Sequence, residues 1–247
     1  MPLHLPSPIQ IPSDSPFFAG HFPGQPILPG IVQLALAFPG SPIAEVRSLK
    51  LRRTVGPGDR LEVSGTGPGA DGVARFEIRR GEETVSQGAV RAGASEGGDL
   101  DPGVEAPPPS SFPPPETLIP HAPPALLVRS VEAVSSEGIS CFAVIPGDHP
   151  LARDGRVPSF LGLEAAAQAA AVLEALERRG EGGSPRVGYL VGIRDAVLRT
   201  PDLPVDRPFR VTARVHGSAP PLSMYQVALE GRNGELLAGT ISTYLYS

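Results

Sequence analysis

The sequence predicts an α+β fold in which one structural unit occurs twice, each copy an antiparallel sheet bent around a helix. Three features carry this expectation: two blocks of strand-like segments that resemble each other, a helix pattern at the start of each block, and one acidic Pro- and Gly-rich stretch between the blocks. In the first block RSLKLRRTVGPGDRLEVSG (47–65) leads to VARFEIRRGEETVSQGAV (73–90); in the second RDAVLRTPDLPVDRPFRVTA (194–213) leads to MYQVALEGRNGELLAGTI (224–241). Both series alternate apolar and polar residues, as antiparallel strands with one buried face do. Both are interrupted at corresponding turns, VGPGD against LPVDR and RRGEE against GRNGE. Internal similarity of this kind marks a duplicated unit.

The elements follow in chain order. The N-terminal unit, 1–92, has a helix pattern in GIVQLALAF (30–38) that Pro39 cuts short. Residues 93–118 hold seven prolines, four glycines and five acidic residues without Lys or Arg, and read as a disordered, semi-extended linker. The C-terminal unit, 119–247, has a longer helix: Pro158 suits its first turn, SFLGLEAAAQAAAVLEALERR is rich in Ala, Leu and Glu, and Gly180 suits its end. Net charge is +1 for 1–92, −5 for the linker and −1 for 119–247, so the whole imbalance sits in the linker.

Composition narrows the function classes. Pro and Gly fill 60 of 247 positions, close to a disordered composition, but 40% apolar residues suffice for one sizeable core or two small ones. A net charge of −5 argues against a general nucleic-acid binder. The single cysteine, Cys141, excludes an intramolecular disulfide and a Cys-based zinc site. The N-terminus MPLHLPSPIQIPS has no signal-peptide pattern and no uninterrupted apolar run reaches about 18 residues, so a soluble cytoplasmic protein is expected.

The segment GHFPGQPILPGIVQLALA (20–37) resembles the HFPGxPxxPG signature of 3-hydroxyacyl-acyl-carrier-protein dehydratases, matching at His21, Phe22, Pro23, Gly24, Pro26, Pro29 and Gly30. HPLARDGRVPSFLGLEAAAQAAA (149–171) is similar to the dehydratase stretch that carries a histidine, a proline, then Glu and Ala-Gln, and LIPHAPPALLVRSVEAV (118–134) to the first strand of those enzymes. The wording of 21–34 looks closest to small dehydratases of polyene-type and other specialised fatty-acid pathways. The resemblance implies a double hotdog, two tandem hotdog domains each with a bent antiparallel sheet around a central helix. It also implies a hydro-lyase that takes its histidine from one unit and its acid from the other, acts on acyl-carrier-protein or CoA thioesters, and needs no metal or organic cofactor. A pseudo-dimer within one chain is expected, itself free to dimerise.

In that family the acid follows the histidine by 14 residues. Fourteen positions past His21 stands Ala35, whereas Glu164 lies 15 positions past His149. Paired as the family pairs, the units would hold one complete site, His21 with Glu164, and one degenerate site, His149 with Ala35. Dehydration needs a base for the C2 proton, a donor for the departing hydroxyl and stabilisation of charge on the thioester oxygen. His21, titrating near physiological pH, is the expected base. Glu164, the sole ionisable residue in 157–173, is the expected acid, its pKa raised by burial. The Gly30 amide at a helix start is the expected oxyanion donor, with Gln168, one turn beyond Glu164, on the substrate side. An acyl thioesterase, in which Glu164 would activate water, and a non-catalytic acyl-binding partner are the rival readings.

Other candidates have blander expectations. His121 is read as a strand end that caps backbone, His4 and His216 have no supporting context, and GPGADG (67–72) is a turn and not a phosphate loop. Arg52–Arg53 and Arg79–Arg80 read as solvated strand ends, although an acidic carrier protein would need such a basic patch to dock.

Overall fold

The computed structural model of the protein describes residues 8–93, 103–104, 109–180 and 187–245. In the first half β1 (Ile9–Gln10) and helix α1 (Val32–Ala37) precede β2 (Ile43–Leu51), β3 (Arg60–Thr66), β4 (Val73–Arg80) and β5 (Glu83–Ala92). The second half comprises β6 (Val128–Ser135), β7 (Gly138–Val144), β8 (Arg156–Pro158), helix α2 (Gly162–Gly180), β9 (Gly188–Leu198), β10 (Asp202–Pro204), β11 (Pro208–Ala219), β12 (Leu222–Gly231) and β13 (Gly234–Leu245).

Eleven strands form one sheet in the order β1-β3-β4-β5-β2-β9-β13-β12-β11-β7-β6, and β8 pairs with β10 in a small separate ribbon. The halves join where β2 runs antiparallel to β9, with Glu45 opposite Val197 and Leu49 opposite Ile193. From that seam the succession β2, β5, β4, β3 on one side matches β9, β13, β12, β11 on the other, which is the repeat seen in the sequence. The alternation sets the faces: Phe76 and Ile78 of β4, and Tyr225, Val227 and Leu229 of β12, are all buried.

Helix α2 packs on β7, β11 and β12. Its Ala165, Ala166, Ala169 and Ala170 are fully buried, and side chains this small let the sheet approach the helix axis closely. By length and composition Ser159–Gly180 would suit a bilayer span, but 83% of its apolar window is buried against the protein itself. Pro158 is not in the helix's first turn: it is extended (φ −54°, ψ 134°), and a 3₁₀ turn at Ser159–Leu161 leads into α2. Helix α1 has six residues; the following Pro39 disfavours helical backbone at Phe38, which leaves at φ −133°, ψ 64°.

The second part of the expected linker is laid along the second half. Ser110 Oγ donates to the Val131 carbonyl at 2.7 Å, Phe112 packs on the core and Pro115 is buried. By packing, residues 109–118 therefore go with 119–245, because their apolar side chains find a surface to cover. Residues 94–102 and 105–108 lie outside the described residues.

Candidate active site

A cavity of about 390 Å³ lies between the halves. The first half supplies His21, Phe22, Gly30 and the strand end 51–54; the second supplies His121, Glu164 and the α2 face down to Glu174. Two loops bring the histidines together. Gly20 is left-handed (φ +73°), its carbonyl accepts from the Ala122 amide at 2.8 Å, and a Cβ on it would lie 2.0 Å from the Ala122 oxygen. Only glycine allows the two backbones to approach this closely. Phe22 then packs edge-on to His21, with ring centroids 4.6 Å apart, and stacks on Tyr189.

His21 and Glu164 face each other across the seam, Nε2 to Oε1 at 4.0 Å, both buried. His21 Nδ1 lies 2.6 Å from the Ile27 carbonyl. A carbonyl only accepts, so Nδ1 carries the proton and Nε2 presents its lone pair to the cavity. Burial holds His21 down at about 4, well below the near-neutral titration expected from the sequence. The imidazole is neutral at pH 7 because the cavity offers its charged form little solvation. Burial pushes Glu164 up to about 7, partly opposed by the hydrogen bond from Gln168.

Gln168 lines the cavity, as expected, and its polar atoms are engaged by the protein itself. Its Oε1 accepts from the Leu127 and Val128 amides at 2.7 and 3.3 Å, and its Nε2 donates to the Ala125 carbonyl at 2.8 Å and to Glu164 Oε1 at 3.3 Å. Both amide hydrogens are committed, which makes Gln168 a brace for Glu164. Gly30 lines the cavity, and among the described residues no carbonyl accepts its amide. Since α1 is only six residues long, that free N–H, and not a long helix dipole, is what Gly30 offers.

His121 is the site residue that sequence reasoning missed. Instead of ending a strand it sits in the loop before β6, buried, with Nε2 3.7 Å from Glu164 Oε1 and its ring 5.2 Å from that of His21. Its Nδ1 is buried without a partner, and burial, reinforced by the His21 charge, takes it down to about 3. A signal was available: residues 117–128 carry no charged side chain, which suits a buried histidine better than a surface cap. The degenerate pair is not assembled in this way. His149 Nδ1 accepts locally from the Leu151 amide at 3.1 Å, Ala35 packs against the core, and neither lines the cavity. His216 is exposed and His4 lies outside the described residues. Among the basic candidates, Arg80 is tied to Asp59 and Glu83 at 2.7 and 2.8 Å and Arg53 to the same Glu83 at 2.5 Å; Arg52 and Arg53 are both exposed at the cavity rim.

The double hotdog built here is the fold of dehydratase domains. The ApeP-like family model (ApeP dehydratase) matches residues 113–246 and the ApeI-like model (ApeI dehydratase) matches residues 6–89. The chain belongs to the ApeP-like dehydratase family. A 3-hydroxyacyl-[acyl-carrier-protein] dehydratase FabZ of Anaeromyxobacter sp. (strain K) is 36% identical over 98 residues, covering 37% of this chain and 63% of that protein. The FabZ of Anaeromyxobacter sp. (strain Fw109-5) is 35% identical over 69 residues, 20% of this chain and 44% of that protein. The chain thus spans 63% and 44% of the lengths of these curated relatives. Among solved structures, the dehydratase domain of PpsC from Mycobacterium tuberculosis superposes with TM-score 0.68 at 15% identity over 97% of this chain and 92% of that one. The dehydratase heterocomplex ApeI:P from Xenorhabdus doucetiae superposes with TM-score 0.52 at 20% identity over 55% of this chain and 93% of that one. At these identities the structural likeness establishes the double hotdog fold.

Proposed function

We propose that the protein removes water from 3-hydroxyacyl thioesters at one hybrid site, with His21 as base and Glu164 as acid. The observation that carries this reading is the approach of these two buried side chains, one from each half, to 4.0 Å in a shared cavity. His21 Nε2 takes the C2 proton, the C2–C3 double bond forms as the C3–O bond breaks, and Glu164 gives its proton to the departing hydroxyl, which leaves as water. The Gly30 amide receives the charge that gathers on the thioester oxygen. The step converts a neutral pair into imidazolium and carboxylate, and their mutual attraction in a buried cavity offsets part of the weak basicity of His21. Proton return from His21 to Glu164 resets the site.

The acyl group is carried by an acyl carrier protein or by CoA, and the exposed Arg52 and Arg53 at the rim suit an anionic carrier arm or an acidic carrier surface. The test is enoyl formation from a 3-hydroxyacyl thioester by wild type, His21→Ala, Glu164→Gln and His149→Ala. The first two substitutions each cost on the order of 10²–10⁴-fold in kcat, and His149→Ala keeps most of the activity. Full turnover by His21→Ala with loss in His149→Ala would overturn the assignment, and thiol release without enoyl product would point to a thioesterase.

A further inference from the structure

The cluster His21, His121 and Glu164 has more acceptors than the dehydration needs. One ligand atom from each of the three lies within 4.8 Å of the other two, and all three residues are buried. No Lys or Arg makes an ion pair with Glu164 among the described residues. The nitrogen that His21 turns to the cavity is a bare lone pair, since its Nδ1–H is spent on Ile27.

The surroundings of two of the three residues, His21 and Glu164, are those of metal ligands, while His121 brings a buried Nδ1 with no partner. A ligating histidine commonly donates its far ring N–H to a backbone carbonyl, which fixes tautomer and ring plane, and His21 does so to Ile27. Ligating carboxylates are held by further hydrogen bonds. Glu164 is held by Gln168, which three backbone groups at Ala125, Leu127 and Val128 hold in turn. In a tetrahedral zinc site with bonds of about 2.0–2.1 Å the ligand atoms are roughly 3.3 Å apart. The observed 3.7 and 4.0 Å to Glu164 Oε1 are longer than that by about 0.4 and 0.7 Å, so the side chains must draw in to close on an ion.

We propose that His21, His121 and Glu164 form a binding site for a divalent transition-metal cation of the zinc class, and that the bound ion inhibits the protein by occupying the His21 lone pair and displacing the Glu164 proton that its reaction requires. Two imidazole nitrogens and one carboxylate oxygen suit Zn²⁺ or Co²⁺ and not Mg²⁺ or Ca²⁺, which take oxygen ligands. The cavity leaves the fourth position open to water. Nothing in the dehydration uses the ion; it competes with substrate. The inhibitory half rests on the dehydratase reading, whereas the binding half does not.

The experiment is equilibrium dialysis of chelator-stripped protein against Zn²⁺, with Co²⁺ absorption as a second readout and Mg²⁺ as the negative probe. One Zn²⁺ per chain is expected, with tetrahedral Co²⁺ bands. His121→Phe keeps a ring against His21 and Phe22 but has no nitrogen, and together with Glu164→Gln it is expected to weaken binding at least about tenfold, as even loss of an outer hydrogen-bond partner can. His149→Ala and Cys141→Ala are expected to leave binding unchanged. Circular dichroism checks folding, and Zn²⁺ inhibition of dehydration, competitive with thioester and reversed by chelator, completes the test. Binding that survives both His121→Phe and Glu164→Gln, or that is absent in wild type at millimolar Zn²⁺, overturns the proposal. Zinc binding without dehydration sinks only the catalytic reading, and dehydration without zinc binding sinks only this one.

Discussion

Burial in a cavity with few polar partners favours the uncharged form of both Glu164 and His21, keeping Glu164 protonated up to about 7 and His21 neutral down to about 4, so the two shifts run in opposite directions. The proposed dehydration requires the acid form of Glu164 and the base form of His21. As pH rises through about 7 the acid form is lost, so kcat/KM should fall tenfold per unit on the alkaline side. The acid limb should appear only near 4, where the base protonates. A pH–rate profile checks this, and its limbs belong to the pair. The same burial has a stability cost. Folded Glu164 binds its proton up to about 7 whereas an ordinary glutamate releases it near 4.5, so its stabilising contribution is complete below 4.5 and is lost as pH rises through 7. The loss is about 3 kcal/mol at most. Glu164→Gln should therefore raise Tm at pH 8 relative to wild type by several degrees, with a smaller difference at pH 5, in thermal melts at both pH values.

Two glycines separate the roles of neighbouring elements. Gly20 holds the His21 loop against the His121 loop, and its φ of +73° together with the contact to Ala122 leaves no space for a side chain. Gly20→Ala should separate the loops and lower kcat on the order of 100-fold, the effect of about 1 Å of misplacement. Loss of zinc binding in the same variant would show that the whole cluster has moved. At Gly30 the added Cβ would meet the Leu51 side chain, with Cδ1 at 2.3 Å and Cδ2 and Cγ at 3.4 Å, and that side chain also lines the cavity. Gly30→Ala should fold normally, because Leu51 can turn away, but turn it into the substrate space and raise KM more than it lowers kcat. Steady-state kinetics on both variants distinguish loop placement from cavity shape.

At the scale of the whole molecule the halves share one sheet through the β2–β9 seam and one cavity across it. Urea should therefore remove enoyl-forming activity and far-UV circular dichroism at the same midpoint, and a loss of activity well before the sheet signal would show that the halves separate first. Docking of a carrier should be felt only at the rim. Arg52→Glu should raise KM for a carrier-protein substrate several-fold, less so at high salt, and leave a short soluble thioester unaffected.

The sequence by itself determined the duplication, the alternating strands and the one long helix, and its resemblance to dehydratases implied that His21 meets Glu164 across the halves. These depend on local periodicity, turn chemistry and a spaced motif, all of which are one-dimensional. Only the tertiary structure decided the rest. His121 stands 100 positions from His21 and reaches it through a loop contact at Gly20 that no local pattern encodes. The basicity of His21 fell to about 4 because burial is a property of the assembled cavity and not of the motif. Gln168 became a brace because Ala125, Leu127 and Val128 fold back onto it. Residues 109–118 have a linker's composition, yet Phe112 and Pro115 found apolar surface on the second half. Spacing along the chain states which side chains can share a face; which of them lose water and which gain a partner is settled only when distant segments close around them.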